Sequence, residues 1–112
     1  MKYNSIFDLK NKVAVVVGGA GLIGSEIAKG LSDFGAKVYI ADIDKQAAGR
    51  IKAKGVKFVY LDIASEDSIY RALNAVYEET KRIDILINCA YPRTADWGLG
   101  LEKVTFDAWK EN

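Results

Sequence analysis

Short apolar runs alternate along the chain with longer stretches in which apolar residues recur every three or four positions. The run Val13-Ala14-Val15-Val16-Val17 is apolar throughout, which predicts a strand over about 12–17 buried on both faces, the habit of parallel sheets. It breaks at Gly18 and gives way to a predicted helix over about 22–34. In that helix Ile23, Ile27, Leu31 and Phe34 fall at helical spacing and form the expected buried stripe. Gly35 stands where a helix ends in a left-handed residue. Ahead of the first strand, residues 1–11 offer Ile6, Phe7 and Leu9 to pack onto the sheet.

The same strand-then-helix unit recurs. A second strand is predicted over 37–41, ending at Asp42, and a helix over about 45–54, capped by Asp44 and closed by Gly55. A third strand spans 56–61 and ends at Asp62. Ser65 then caps a helix running to about Arg82, with Glu66 and Asp67 in the turn where the helix dipole favours acids. Its buried stripe is Ile69, Ala72, Leu73, Val76 and Thr80. A fourth strand covers 83–88, a loop holds Pro92, Gly98 and Gly100, and Thr105 caps a last helical segment to Asn112. Strands alternating with helices predict an α/β fold, a three-layer parallel sheet with right-handed crossovers and strand order 3-2-1-4. The order reverses between strands one and four, which opens a crevice at their carboxyl ends.

Composition narrows the function classes. With 112 residues, half of them apolar, the chain is long enough for one domain with a core. A net charge of +1, with acids and bases interspersed, gives no footprint for nucleic acid or an anionic membrane surface. One cysteine and no histidine exclude an internal disulfide and argue against a metal site. The start Met1-Lys2-Tyr3-Asn4-Ser5 lacks the pattern of a signal peptide, and no apolar run approaches a bilayer span, so a cytoplasmic protein is expected.

The candidate chemistry lies where strands end. Gly18, Gly21 and Gly24 sit between the first strand and the first helix, the setting a dinucleotide-binding fingerprint of the Rossmann type requires. Gly18 permits the tight turn, Gly21 lets backbone approach a pyrophosphate, and Gly24 lets helix and strand pack closely. The helix N-terminus offers unpaired N–H groups and a positive dipole end to phosphates. Asp42, 18 residues after Gly24, can accept both hydroxyls of an adenosine ribose. It would also repel a 2′-phosphate, since two charges about 4 Å apart at an effective dielectric of about 20 interact by roughly 4 kcal/mol. Ile43 follows where a phosphate-binding form places a base, so NAD is expected ahead of NADP.

On these residues the chain resembles the short-chain dehydrogenase/reductase superfamily. Val17-Gly18-Gly19-Ala20-Gly21-Leu22-Ile23-Gly24 resembles the family's opening motif, with Val17 where Thr is usual. The glycine spacing follows the extended, nucleotide-sugar branch. Ile87-Asn88-Cys89-Ala90-Tyr91 instead resembles the Asn-Asn-Ala-Gly element of the shorter branch, with Cys89 for the second Asn and Tyr91 for Gly. Asp62-Ile63 resembles the end of strand three, whose acid contacts adenine, and Phe106-Asp107-Ala108-Trp109 resembles the start of the fourth helix. The loop from Asn88 through Arg93 to Trp97-Gly98 is similar to oxidoreductases of flagellin-glycan and nonulosonic-acid pathways. The resemblance implies a cofactor site of Gly18, Ala20, Gly21, Leu22, Ile23, Gly24, Asp42, Ile43, Asp62, Ile63, Asn88 and Ala90. Asn88 would tie the fourth strand to backbone near the cofactor, and Arg93 could meet an anionic substrate group.

The implied reaction is hydride transfer between a nicotinamide and a secondary alcohol or ketone, on a small molecule such as a sugar derivative. The family's tyrosine, with a lysine four residues on, supplies acid–base catalysis after the fourth strand. Here the one such pair, Tyr77 and Lys81, lies before it and reads as a helix-surface pair. Asn112 is too close to Trp109 to match the family's catalytic asparagine, and Cys89 has no histidine to activate it, so no catalytic residue is assigned. Residues 1–112 are therefore expected to form a dinucleotide-binding domain cut before the catalytic segment, inactive alone, with a free sheet edge and a homo-oligomeric parent. Two other readings remain open: an extended-type nucleotide-sugar epimerase or dehydratase, and a non-catalytic dinucleotide-binding protein.

Overall fold

A computed structural model describes residues 5–91 and 95–111. The strands are β1 (Val13–Val17), β2 (Lys37–Asp42), β3 (Val56–Tyr60) and β4 (Ile85–Asn88). The helices are α1 (Leu22–Asp33), α2 (Lys45–Ala48), α3 (Glu66–Thr80) and α4 (Phe106–Glu111), with a 3-10 turn at Leu101–Lys103. All strand pairs are parallel and the order is β3-β2-β1-β4, as the alternation predicts.

Alternation along each strand makes two cores. Val13, Val15 and Val17 of β1 join Tyr39 and Ala41 of β2 and meet Ala72 and Val76 of α3. Ala14 and Val16 join Val38 and Ile40 on the opposite face, under Ala28 of α1 and Ala48 of α2. Helices thus cover both faces, and β1, buried at every position, is the centre of three layers.

Several expectations change. Ile23 is 70% exposed and Phe34 is 55% exposed, so α1 buries a stripe of Gly24, Ile27, Ala28 and Leu31 instead. The reason is geometric: Ile23 lies on the first turn, beyond the sheet's end, and Phe34 stacks on Phe7 at the surface with ring centroids 6.4 Å apart. Among the described lead-in residues Leu9 reaches the core, while Ile6 and Phe7 stay exposed. The second helix stops at Ala48, because Gly49 caps it and Arg50 and Ile51 close turns that carry the chain back across the sheet. Gly55, at φ +74°, turns the chain into β3 and caps no helix. α3 ends on Lys81, a non-glycine residue in the left-handed region, and β4 begins only at Ile85. Leu86, on the edge strand, is 59% exposed on the α3 side of the sheet. Pro92, Arg93 and Asn112 lie outside the described residues.

Candidate functional site

At the carboxyl ends of the strands a cleft of about 740 Å³ opens between the glycine loop, the ends of β2 and β3, and the segment after β4. Its walls are Gly18, Gly21, Leu22, Ile23 and Gly24, then Asp42 and Ile43, then Asp62 and Ile63, then Ala90. Every residue predicted for a cofactor is there except Ala20 and Asn88. Val17, Leu61, Ala64, Cys89 and Tyr91 complete the walls without having been singled out for it. Periodicity carries no signal for Tyr91, which the sequence offers only within the motif and loop that follow the fourth strand.

The loop's shape follows from two glycines. Gly18 has φ +71°, and a Cβ there would lie 2.6 Å from the Ala90 nitrogen, so β4's exit packs directly on the turn. A Cβ on Gly24 would lie 2.4 Å from the Gly18 carbonyl oxygen, so α1 packs on the loop backbone more than on the strand itself. The loop is pinned further by the Gly18 N–H donating to the Ala41 carbonyl and the Cys89 N–H donating to the Val17 carbonyl, both at 2.8 Å.

The first turn of α1 has no side-chain cap and no acidic residue. Its first i−4 bond is Ser25 N–H to the Gly21 carbonyl at 2.9 Å, so the N–H groups ahead of it, in the stretch Gly21 to Gly24 that lines the cleft, have no i−4 partner in the helix. That end of the cleft carries the positive helix dipole. A Cβ on Gly21 would touch only the Gly18 carbonyl oxygen, at 3.3 Å, so the glycine leaves the mouth of the cleft clear.

The far walls are acidic and tied down. Asp42 accepts the Ala20 N–H through Oδ2 and the Asp44 N–H through Oδ1, each at 3.0 Å. This accounts for Ala20: its N–H is spent on Asp42 and its methyl packs on the α1-side core, so the residue braces the loop from behind. Asp62 Oδ1 accepts the Ala64 N–H at 2.9 Å, and its own N–H donates to the Ser68 hydroxyl at 2.9 Å. Ser68 is a positioning residue that sequence reasoning missed, since a serine in a first helical turn has many bland uses. Asn88 stands outside the cleft wall; its Oδ1 accepts the Ala90 N–H at 3.0 Å and shapes the wall indirectly.

The shifted ionisable groups sit at the other end of the sheet. Asp84 takes two bonds from Arg82, at 2.8 and 2.6 Å, and a third from the Val13 N–H at 2.8 Å. Arg82 first, then Val13, bring its carboxyl down to about 2. Glu79 bonds Lys57 and Lys37, and chiefly Lys57 brings it to about 2 as well. Tyr77 and Lys81 also lie there, at the end of α3, with Lys81 Nζ paired to Glu78 at 2.7 Å. Among the described residues no group of side chains could hold a metal ion, and no helix is long and apolar enough to cross a membrane.

Known proteins resemble this chain over most of its length. Residues 12–111 match the family described as short chain dehydrogenase. The chain belongs to that family. It is 36% identical over 110 residues to the rhamnolipids biosynthesis 3-oxoacyl-[acyl-carrier-protein] reductase of Pseudomonas aeruginosa, covering 94% of this chain and 42% of that one. It is 30% identical over 97 residues to post-translational flagellin modification protein A of Campylobacter coli, covering 80% and 38%.

Two solved structures superpose on this chain. The Pseudomonas aeruginosa RhlG/NADP active-site complex matches with TM-score 0.79 and 34% identity, over 94% of this chain and 42% of that one. The 3-ketoacyl-(acyl-carrier-protein) reductase from Brucella melitensis complexed with NADH matches with TM-score 0.65 and 33% identity, over 70% and 33%. One of these two proteins is thus complexed with NADP and the other with NADH, and this chain spans from about a quarter to about two fifths of the length of the curated relatives it matches.

Proposed function

We propose that this chain is the dinucleotide-binding part of a short-chain oxidoreductase that transfers hydride between a nicotinamide and a secondary alcohol or ketone of a small molecule. The observation that carries the reading is the cleft's polarity: an uncapped helix N-terminus at one wall and two carboxylates at the others. A pyrophosphate suits the first, because N–H groups and the dipole favour negative charge. The carboxylates repel phosphate and suit the neutral adenosine, with Asp42 accepting ribose hydroxyls and Asp62 and Ile63 meeting adenine.

The residues present fit such a cofactor, since Gly21 keeps side-chain bulk out of the mouth that the diphosphate must enter. Gly18, Leu22, Ile23 and Gly24 form the floor against the diphosphate, with Ile43 flanking the adenosine and Ala90 flanking the nicotinamide side. Asn88 holds Ala90 in place. When bound, the nicotinamide supplies the hydride donor or acceptor. The acid–base groups are proposed to lie outside residues 1–112, because the chain's one Tyr-x-x-x-Lys pair is at the wrong end of the sheet.

NAD is proposed as the preferred form. Asp42 stands beside the expected ribose and Ile43, 63% exposed, brings no cation to a 2′-phosphate. The test is parallel titration of the chain with NADH and NADPH, followed by fluorescence. NADH is expected to bind at least about tenfold tighter, a conservative share of the repulsion between close charges near a protein surface. Equal affinities would remove the ribose role of Asp42, and failure of both to bind would remove the nucleotide site.

A further inference from the structure

The two long helices of this chain open differently. α3 starts with Ser65 accepting the Ser68 N–H and with Glu66 and Asp67 in its first turn, residues that satisfy and complement a helix N-terminus. α1 starts after Gly21, which has no side chain to cap with, and its first residue is Leu22. Leu22 lines the cofactor cleft and is 89% exposed, more than Ile23 beside it. The residues that α1 buries fully are Gly24 and Ala28, so folding gains little from a leucine at position 22. Apolar surface left in water at the wall of a cleft is surface that a ligand can cover.

We infer that the Leu22 side chain shields the bound diphosphate from water and salt. The inference rests on the dinucleotide reading and assigns one side chain a task within that site. Side chains on a helix lean toward its N-terminus, so Leu22 leans over the end whose N–H groups lack i−4 partners. An anion held there in the open is hydrated and screened by ions, whereas a covered one is screened much less. The methyl groups of Leu22 displace water without offering a competing hydrogen bond. They also lower the local dielectric, in which the same amides and helix dipole attract more strongly. A hydroxyl or carboxylate at this turn would suit the free helix better and the ligand worse, because it would itself engage the N–H groups or repel the phosphates.

The test compares the chain with Leu22→Ala and Leu22→Met. NADH is titrated by fluorescence and ADP by competition, each at low and at high sodium chloride; ADP keeps the diphosphate and lacks the nicotinamide. Leu22→Ala is expected to bind both ligands about tenfold more weakly at low salt, and to lose more affinity than the parent as salt rises. Leu22→Met should restore most of both properties. Urea midpoints should stay with the parent, since the side chain is exposed. Unchanged affinity and salt response in Leu22→Ala overturn the inference. So does a loss confined to NADH, which would place the side chain against the nicotinamide, or a fallen urea midpoint, which would assign Leu22 to folding. A parent chain that binds neither NADH nor ADP counts against the nucleotide site itself, whereas a parent that binds both and a Leu22→Ala chain that matches it count against the shield alone.

Discussion

Asp42 Oδ2 accepts the N–H of Ala20 at 3.0 Å, joining the end of β2 to the middle of the glycine loop. The other oxygen accepts the Asp44 N–H at the same distance, so both carboxylate oxygens serve as acceptors for backbone. An aspartate read as a ligand residue is thus also the brace that holds the glycine loop in shape.

Asparagine cannot replace it, since its side-chain nitrogen would face a backbone N–H with no acceptor between them. Asp42→Asn is expected to lower stability by about 1–2 kcal/mol, the cost of one lost and one unsatisfied bond. It should also narrow the preference for NADH over NADPH. Urea denaturation and the two titrations check both halves; an unchanged midpoint would remove the bracing role.

Two glycines predict opposite outcomes. Gly18→Ala meets a positive φ and the Ala90 backbone at 2.6 Å, and should destabilise by at least about 1–3 kcal/mol. Gly30 lies inside α1 with nothing within 4 Å of a Cβ, and Gly30→Ala should stabilise by about 0.5–1 kcal/mol. Thermal unfolding of the pair checks the sign of each.

Acid should loosen the amino end of the sheet. Glu79 and Asp84 are each held at about 2, against ordinary values of 4.5 and 3.8. A carboxyl whose folded pKa is depressed contributes stability above its unfolded value and loses it as pH falls toward the folded one. The unfolding midpoint should therefore drop between about pH 4.5 and pH 2. The double variant Glu79→Gln, Asp84→Asn should start lower at neutral pH and fall less over that window. A parallel fall in both proteins would assign the acid sensitivity to other groups.

Ser68 holds the backbone of Asp62 at the end of β3. Its hydroxyl is the acceptor for the Asp62 N–H, while its own N–H is taken by Ser65 Oγ at 3.2 Å. Ser68→Ala is expected to cost about 1 kcal/mol and to weaken NADH more than its distance from the cleft suggests. Ser65→Ala should cost a similar amount, about 1 kcal/mol, through the lost helix cap, with little effect on NADH. Comparing urea midpoints with NADH affinities for the two separates positioning from capping.

The chain's own pattern determined the layered sheet, the strand order and the places where strands end. Those follow from local physics: a short, valine-rich Val13–Val17 bounded by glycine favours a strand covered on both sides, and glycine at 18 is needed by the turn itself. Tertiary structure decided what local pattern cannot encode. Ile23 matches the helical period yet is exposed, because α1 outruns the sheet at that turn. Ala20 braces the loop from behind, because a carboxylate 22 residues away claims its N–H. Tyr91 joins the cleft wall only once β4 lies beside β1 and carries the chain past Gly18. Periodicity reports which face of an element is buried; which groups converge across elements depends on where each one stops.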